Sequence, residues 1–167
     1  IGADIIFAFD ECTTLMNTRE YQLTAMRRTQ QWAQRCIDEH QRLTIDRAEK
    51  PRQMLFGVVQ GAHYEDLRRQ AAREIGELDF DGFGIGGALD KETLGTIIGW
   101  VVDELPEEKP RHLLGIGEPL DLFVGAENGA DTFDCVAPTR NARNSALLTV
   151  EGRFNVSNAN SRGNSEP

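Results

Sequence analysis

At 167 residues, 40% hydrophobic and 27% charged, the chain has room for one domain with a real core. No apolar run approaches the roughly 20 residues of a membrane-spanning helix. The formal net charge of −9 argues against a nonspecific nucleic-acid binder, which would be basic, but permits an enzyme that holds RNA through a small basic patch.

The first strand is expected over 3–9, a nearly continuous apolar run of the kind found in a parallel sheet buried on both faces. It ends at Asp10. Thr18 can cap a helix reaching about Arg42, with Met26, Ala33, Ile37 and His40 near one face. The charged stretch 43–52, with Pro51, reads as a loop. A second buried strand covers 54–59 and stops at Gln60-Gly61. Tyr64, Leu67, Ala71, Ile75 and Leu78 then step by three and four, which predicts an amphipathic helix. A short third strand over 80–85 ends in Gly86-Gly87. Leu94, Ile97, Ile98, Val101, Val102 and Leu105 form another helical stripe, with Asp90 as its expected cap. Pro106 and Pro110 bracket a turn.

The fourth strand is expected over 112–116. Pro119 suits the first turn of a helix and Gly129 its end. The fifth strand is expected over 132–136, stopped by Pro138, with Arg140 and Arg143 in a polar loop beyond it. After Asn144 the pattern fades, and 145–167 reads as a partly irregular tail. Five strands alternating with four helices imply βαβ units. A closed (β/α)8 barrel needs eight strands, and this chain has too few. An open doubly wound sheet is the alternative. The sequence opens at Ile1, already inside a strand-like run and without a signal peptide, which reads as a piece of something longer.

Cys12, Cys36 and Cys135 are far apart and match neither a zinc spacing nor a disulfide framework. Small buried hydrophobes in a reducing compartment describe them best. His40, His63 and His112 show no paired ligand spacing and read as satisfied or solvated histidines.

Phe133-Asp134-Cys135 followed by Pro138-Thr139-Arg140 resembles the nucleophile segment of the tRNA-guanine transglycosylases, also called queuine tRNA-ribosyltransferases. Three further stretches resemble the same family in the same order: Phe9-Asp10-Glu11-Cys12-Thr13, Gly57-Val58-Val59-Gln60-Gly61 and Gly84-Ile85-Gly86-Gly87. Leu113-Leu114-Gly115-Ile116-Gly117 is a weaker fifth. The resemblance spans about 1–144 and implies the C-terminal part of a catalytic TIM (β/α)8-type barrel, here an incomplete barrel of about five βα units.

Asp10, Gln60, Gly86-Gly87, Gly117 and Asp134 all fall at or just past the carboxyl ends of predicted strands, the rim where parallel α/β folds bind ligands. A carboxylate, a carboxamide and glycine backbone suit a purine. Guanine presents N1–H and its N2 amino group side by side, which the two oxygens of Asp10 can accept. Its O6 can accept from the Gln60 amide and the Gly87 N–H. The resemblance implies the same roles: Asp134 as nucleophile on C1′ of the wobble guanosine, and Asp10, Cys12, Gln60, Gly86, Gly87, Ala88 and Leu114 around the base. It also implies phosphate contacts for Arg140 and Arg143. The activity implied is exchange of guanine for a 7-deazaguanine, preQ1 or queuine, through a covalent ribosyl-aspartate, in queuosine biosynthesis in the cytoplasm. The implied partners are tRNA with guanine at the wobble position and the incoming base, with a homodimer as one option for the full-length protein.

The sequence departs from the family at Ala88, where Leu is common, at Leu114, where Met is common, and at Asp90, where a small or apolar residue is common. A second catalytic Asp in an Asp-Ser-Gly-Gly segment is not in this sequence. Neither is the motif of three cysteines and a histidine that holds the family's zinc. Two rival readings stay open: a noncatalytic tRNA-binding partner subunit of the same fold, and an unrelated two-carboxylate barrel glycosidase. Guanine exchange into tRNA separates them from the first reading.

Overall fold

The computed structural model describes residues 2–47, 49–87 and 89–157. Five strands, β1 (Ile5–Phe7), β2 (Met54–Val59), β3 (Gly82–Ile85), β4 (Arg111–Leu113) and β5 (Thr132–Phe133), form one sheet. Four helices, α1 (Arg19–Asp46), α2 (Glu65–Gly76), α3 (Leu94–Val102) and α4 (Pro119–Glu127), join them. Every neighbouring pair is parallel and the spatial order follows the chain order. A doubly wound sheet reverses its order at a switch point, and this one never does. The open-sheet alternative therefore fails. The sheet is a single-wound arc of a TIM-type barrel, with five of the eight strands that closure needs.

In a parallel ladder, paired residues share a face. One face carries Leu55, Val59, Phe83, Ile85, Leu113 and Phe133. These pack with Ala33, Ile37, Leu67, Ala71, Ile75, Leu94 and Ile98 of the helices into one core. Phe83 and Ile85 are fully buried, and each such burial is worth about 1.5–3 kcal/mol. The other face carries Phe7, Phe56, Val58, Gly82, Gly84, His112 and Thr132. The same alternation leads past the strand ends to Gln60, Gly86, Leu114 and Asp134. Along this face β3 is all glycine, for a steric reason. A Cβ on Gly82 would meet the Phe56 ring at 2.5 Å, and one on Gly84 would meet Leu114 and Phe7 at 2.9 Å. One on Gly86 would meet Gln60 Nε2 at 2.8 Å.

Several boundaries differ from the sequence reading. The α1 helix runs to Asp46, because Arg42 bridges Glu39 and Asp46 one turn either side and carries the helix through the charged stretch. Thr18 caps it as expected, accepting from the Tyr21 N–H. Asp90 does not cap α3. Its carboxylate accepts the Glu92 N–H within the preceding turn, and Thr93 stands at the cap with its hydroxyl donating back to the Asp90 carbonyl and not into the helix. Strands β4 and β5 are shorter than expected, which leaves Leu114 and Asp134 in the loops past their ends.

Among the described residues, those up to Asp134 form one compact unit and those from Cys135 on a second. In the second unit, α5 (Ala137–Arg143) is followed by an antiparallel hairpin of β6 (Ala146–Thr149) and β7 (Gly152–Asn155). Arg140 and Arg143 therefore stand on a helix and not in a loop. Pro138 opens that helix, where its missing N–H costs nothing. The hairpin lies within the stretch read as a partly irregular tail, of which 158–167 falls outside the described residues. Among the described residues no helix is long and apolar enough to cross a membrane.

Candidate functional site

The loop after β1 carries Asp10 and Cys12, and it is tied to α1 by a set of hydrogen bonds. Tyr21 Oη donates to Glu11 Oε1 at 2.6 Å, and Arg28 Nη1 donates to Glu11 Oε2 at 2.9 Å. The Glu11 N–H donates to Thr29 Oγ1 at 3.0 Å, and Thr13 Oγ1 donates to the buried Gln22 side chain. The Tyr21 hydroxyl and the Arg28 guanidinium hold the Glu11 carboxyl below its ordinary range. Glu11 is thus an anchor, and its neighbours Asp10 and Cys12 are left to face the sheet.

Gln60, at the end of β2, is 2% exposed. Its Nε2 donates to Asp10 Oδ2 at 2.5 Å, so two residues fifty positions apart meet at the rim. An amide nitrogen has two hydrogens, and one remains for a ligand. Gly86 and Gly87 lie directly against this amide. Gly87 has φ +95°, and a Cβ there would stand 2.9 Å from Gln60 Oε1. Only glycine meets both conditions without strain. Burial pushes the Cys12 thiol up, the Asp10 carboxylate adds to this, and the Gly87 N–H partly offsets it. Much of the residue's surface is open, yet its sulfur faces this polar cluster, where the Arg68 guanidinium also opposes the shift. Cys12 stays a neutral thiol and is not a nucleophile here. Leu114 lies over Gly84 beside Phe7, an apolar surface a flat ring can rest on. Ala88 falls outside the described residues.

Asp134 follows β5. Its Oδ1 accepts the Gly115 N–H at 2.8 Å and stands 3.1 Å from His112 Nε2. Gly115 has φ +73°, which aims that N–H. An ionised carboxylate only accepts, so Nε2 donates. His112 Nδ1 in turn bonds Thr132 Oγ1 at 2.8 Å, and the imidazole packs on Phe7 with 5.3 Å between ring centroids. The His112 side chain is 15% exposed and that of Asp134 is 54% exposed. One carboxylate oxygen is thus fixed by two donors. Among the described residues Oδ2 has no partner. Asp131, the nearest competing carboxylate, is occupied at the opposite end of the strand. Its Oδ2 accepts the Arg111 N–H at 2.8 Å.

The sequence reading missed His112. A lone histidine in a strand carries no signal. Only the register, which pairs His112 with Thr132, brings it beside Asp134. It also missed Arg68, completely buried next to Gly86, although the stripe of Tyr64, Leu67 and Ala71 includes its position on α2. In the second unit, Arg140 and Arg143 are exposed and three residues apart on α5, on one face. Neither is ion-paired among the described residues. A cavity of about 940 Å³ lies elsewhere. It runs along β1 between Phe7, Trp32 and Arg47, and of the polar candidate residues at the rim it reaches Asp10 alone. The polar convergence at the rim is the better candidate site. Among the described residues no group of three or more His, Cys, Asp or Glu could hold a metal ion. These residues do not fit a zinc site, and no step below uses one.

The family model for queuine tRNA-ribosyltransferase matches residues 1–167. Curated relatives of that name agree. The protein of Geobacillus kaustophilus is 45% identical over 162 residues, 95% of this chain and 41% of its own length. That of Bacillus subtilis is 43% identical over the same shares. That of Fusobacterium nucleatum is 40% identical over 172 residues, all of this chain and 44% of its own length. The chain thus spans about two-fifths of the length of the relatives it matches. A rim carrying Asp10, Gln60, Gly86-Gly87 and Asp134 on a single-wound parallel arc, with a family match from end to end, places this chain in the queuine tRNA-ribosyltransferase family.

Proposed function

We propose that this chain carries the base pocket and the nucleophile of a tRNA-guanine transglycosylase, which exchanges guanine at the tRNA wobble position for a 7-deazaguanine. The observation that carries this reading is Asp134, with one oxygen held by Gly115 and His112 and the other left free at the rim that also holds the Asp10–Gln60 pair. The guanine edge fits that pair: N1–H and N2–H to Asp10, O6 to the second Gln60 hydrogen and the Gly87 N–H.

Asp134 Oδ2 attacks C1′ of the ribose as the C1′–N9 bond breaks. The bond pair leaves with guanine, which then takes a proton. A carboxylate suits this step because it stabilises an oxocarbenium-like state and then bonds to it. N9 of the incoming base attacks C1′ and loses its proton, and the ester bond to Asp134 breaks. Two displacements retain the configuration. The target base must leave its stack to reach Asp10, and Arg140 and Arg143 supply cations for the phosphates around it. This local basic pair is how a chain of net charge −9 engages RNA.

Under this proposal the partners are tRNA with a wobble guanine and preQ1 or queuine, and the setting is the cytoplasm. The zinc of the family, and a homodimer, belong to the proposal for the full-length protein. The test is incorporation of radiolabelled guanine into tRNA by the full-length enzyme. Exchange supports the reading. Release of guanine without incorporation would instead support a hydrolase, and tRNA binding with neither would support a noncatalytic subunit.

A further inference from the structure

Arg68 is 0% exposed and has no carboxylate partner among the described residues. It lies on α2 and reaches back under the rim. Its Nε donates to the Ala62 carbonyl at 2.7 Å. Its Nη1 donates to the carbonyls of Val59 at 3.1 Å and Gly86 at 2.7 Å. The end of β2, the turn after it and the end of β3 are thus gathered on one guanidinium. The Nη2 has no partner and lies 3.0 Å from the point a Gly87 Cβ would occupy. Gln60 Oε1, also buried and without a partner, lies 2.9 Å from the same point.

Holding three carbonyls needs only N–H groups, which a neutral amide also offers. A full charge is much costlier to bury, and nothing anionic is bonded to this one. Burial pushes the guanidinium down to about 9, and the Cys12 sulfur opposes that shift, so it is a cation at neutral pH. The other titratable groups at this spot are Asp10, which acts against an anion there, and Cys12, a neutral thiol. When C1′–N9 breaks, the bond pair passes to the departing guanine. Until that base takes a proton from water it is an anion, with charge spread to O6, on the side where Gln60 and Gly87 meet it.

We propose that Arg68 is a positioning residue for base exchange. It fixes Gln60 and the Gly86–Gly87 backbone as the pocket floor, and its charge offsets Asp10 so that the anionic base is tolerated. This rests on the function proposed above. A guanine analogue that ionises closer to neutrality than guanine, 8-azaguanine, reports the effect directly, because its ultraviolet spectrum changes on ionisation. It is titrated while bound to the full-length enzyme and to its Arg68→Gln, Arg68→Met and Arg68→Lys variants, with folding checked by thermal melting. Bound to wild type, it should ionise at or below the pH at which it ionises free, despite Asp10. Gln and Met should raise that pH by about one unit, a tenfold loss of preference for the anion. Lys should keep most of the preference, and kcat should fall in Gln and Met with the KM for tRNA unchanged. Ionisation in the wild-type site clearly above the free value overturns the proposal, even if no neutral variant folds. So does an unchanged titration in a folded Gln or Met variant. A wild-type enzyme that neither binds the analogue nor exchanges guanine would overturn the parent function and this inference with it.

Discussion

Replacing His112 by Phe in the full-length enzyme removes one of the two donors on Asp134 Oδ1 and keeps an aromatic ring against Phe7. A hydrogen bond to a charged group is worth about 1.5–3 kcal/mol. The Asp134 side chain is 54% exposed, so water replaces part of the loss and the low end applies. About 1.5 kcal/mol is roughly a tenfold change in rate. The loss should fall on kcat, because the bond orients the attacking carboxylate and not the tRNA. Gln at position 112 can place an amide N–H near the Nε2 position and should recover part of it. The assay is radiolabelled guanine exchange at saturating tRNA and base, with the yield of covalent adduct read on denaturing gels. A kcat within twofold of wild type for His112→Phe, or a loss confined to the KM for tRNA, would refute the role given to His112.

Gly87→Ala puts a Cβ on a residue at φ +95°, against Gln60 Oε1 and Arg68 Nη2. Backbone strain of about 1–2 kcal/mol and a displaced Gln60 should lower the melting temperature and raise the KM for base at least about tenfold. Asp10→Asn replaces a double acceptor by an amide, which should cost roughly 1.5–3 kcal/mol in base binding and leave tRNA binding unchanged. Equal changes in both Michaelis constants would count against that assignment. Glu11 has its carboxyl held low by Tyr21 and Arg28, so its stabilising effect is present above its unfolded value, about 4.3, and is lost as pH falls through its folded value. Melting curves across pH should therefore show wild type above Glu11→Gln at pH 6, with the gap closing below about pH 4.

The strand ends were legible in the sequence because parallel strands buried on both faces are continuous apolar runs with abrupt polar stops. Asp10, Gln60, Gly86 and Asp134 stand at those stops. Alternation of strand and helix gave the βαβ units, while the barrel rather than an open sheet came from the family resemblance and the observed strand order. The rest depended on pairing. β5 shares only two residues with β4, so local propensity overstated its length. Pro138 was read as a stop because proline both ends strands and starts helices, and the sequence alone does not say which. The hairpin over 146–155 had a turn signal at Glu151-Gly152, where φ is +118° at the glycine, but its apolar residues are mostly exposed and gave no clear face. Arg68 was hidden by its type. Arginine is read as surface, and only the carbonyls it reaches reveal it as buried.

The central claim is that Asp134 is the nucleophile, and trapping tests it most directly. Full-length enzyme incubated with tRNA and base should form an adduct that survives denaturing electrophoresis, and the modified peptide should map to Asp134. Asp134→Asn keeps the shape and the Gly115 contact, removes the anionic oxygen, and should bind tRNA without forming the adduct. An adduct that persists in Asp134→Asn, or that maps to Asp131, would contradict the account.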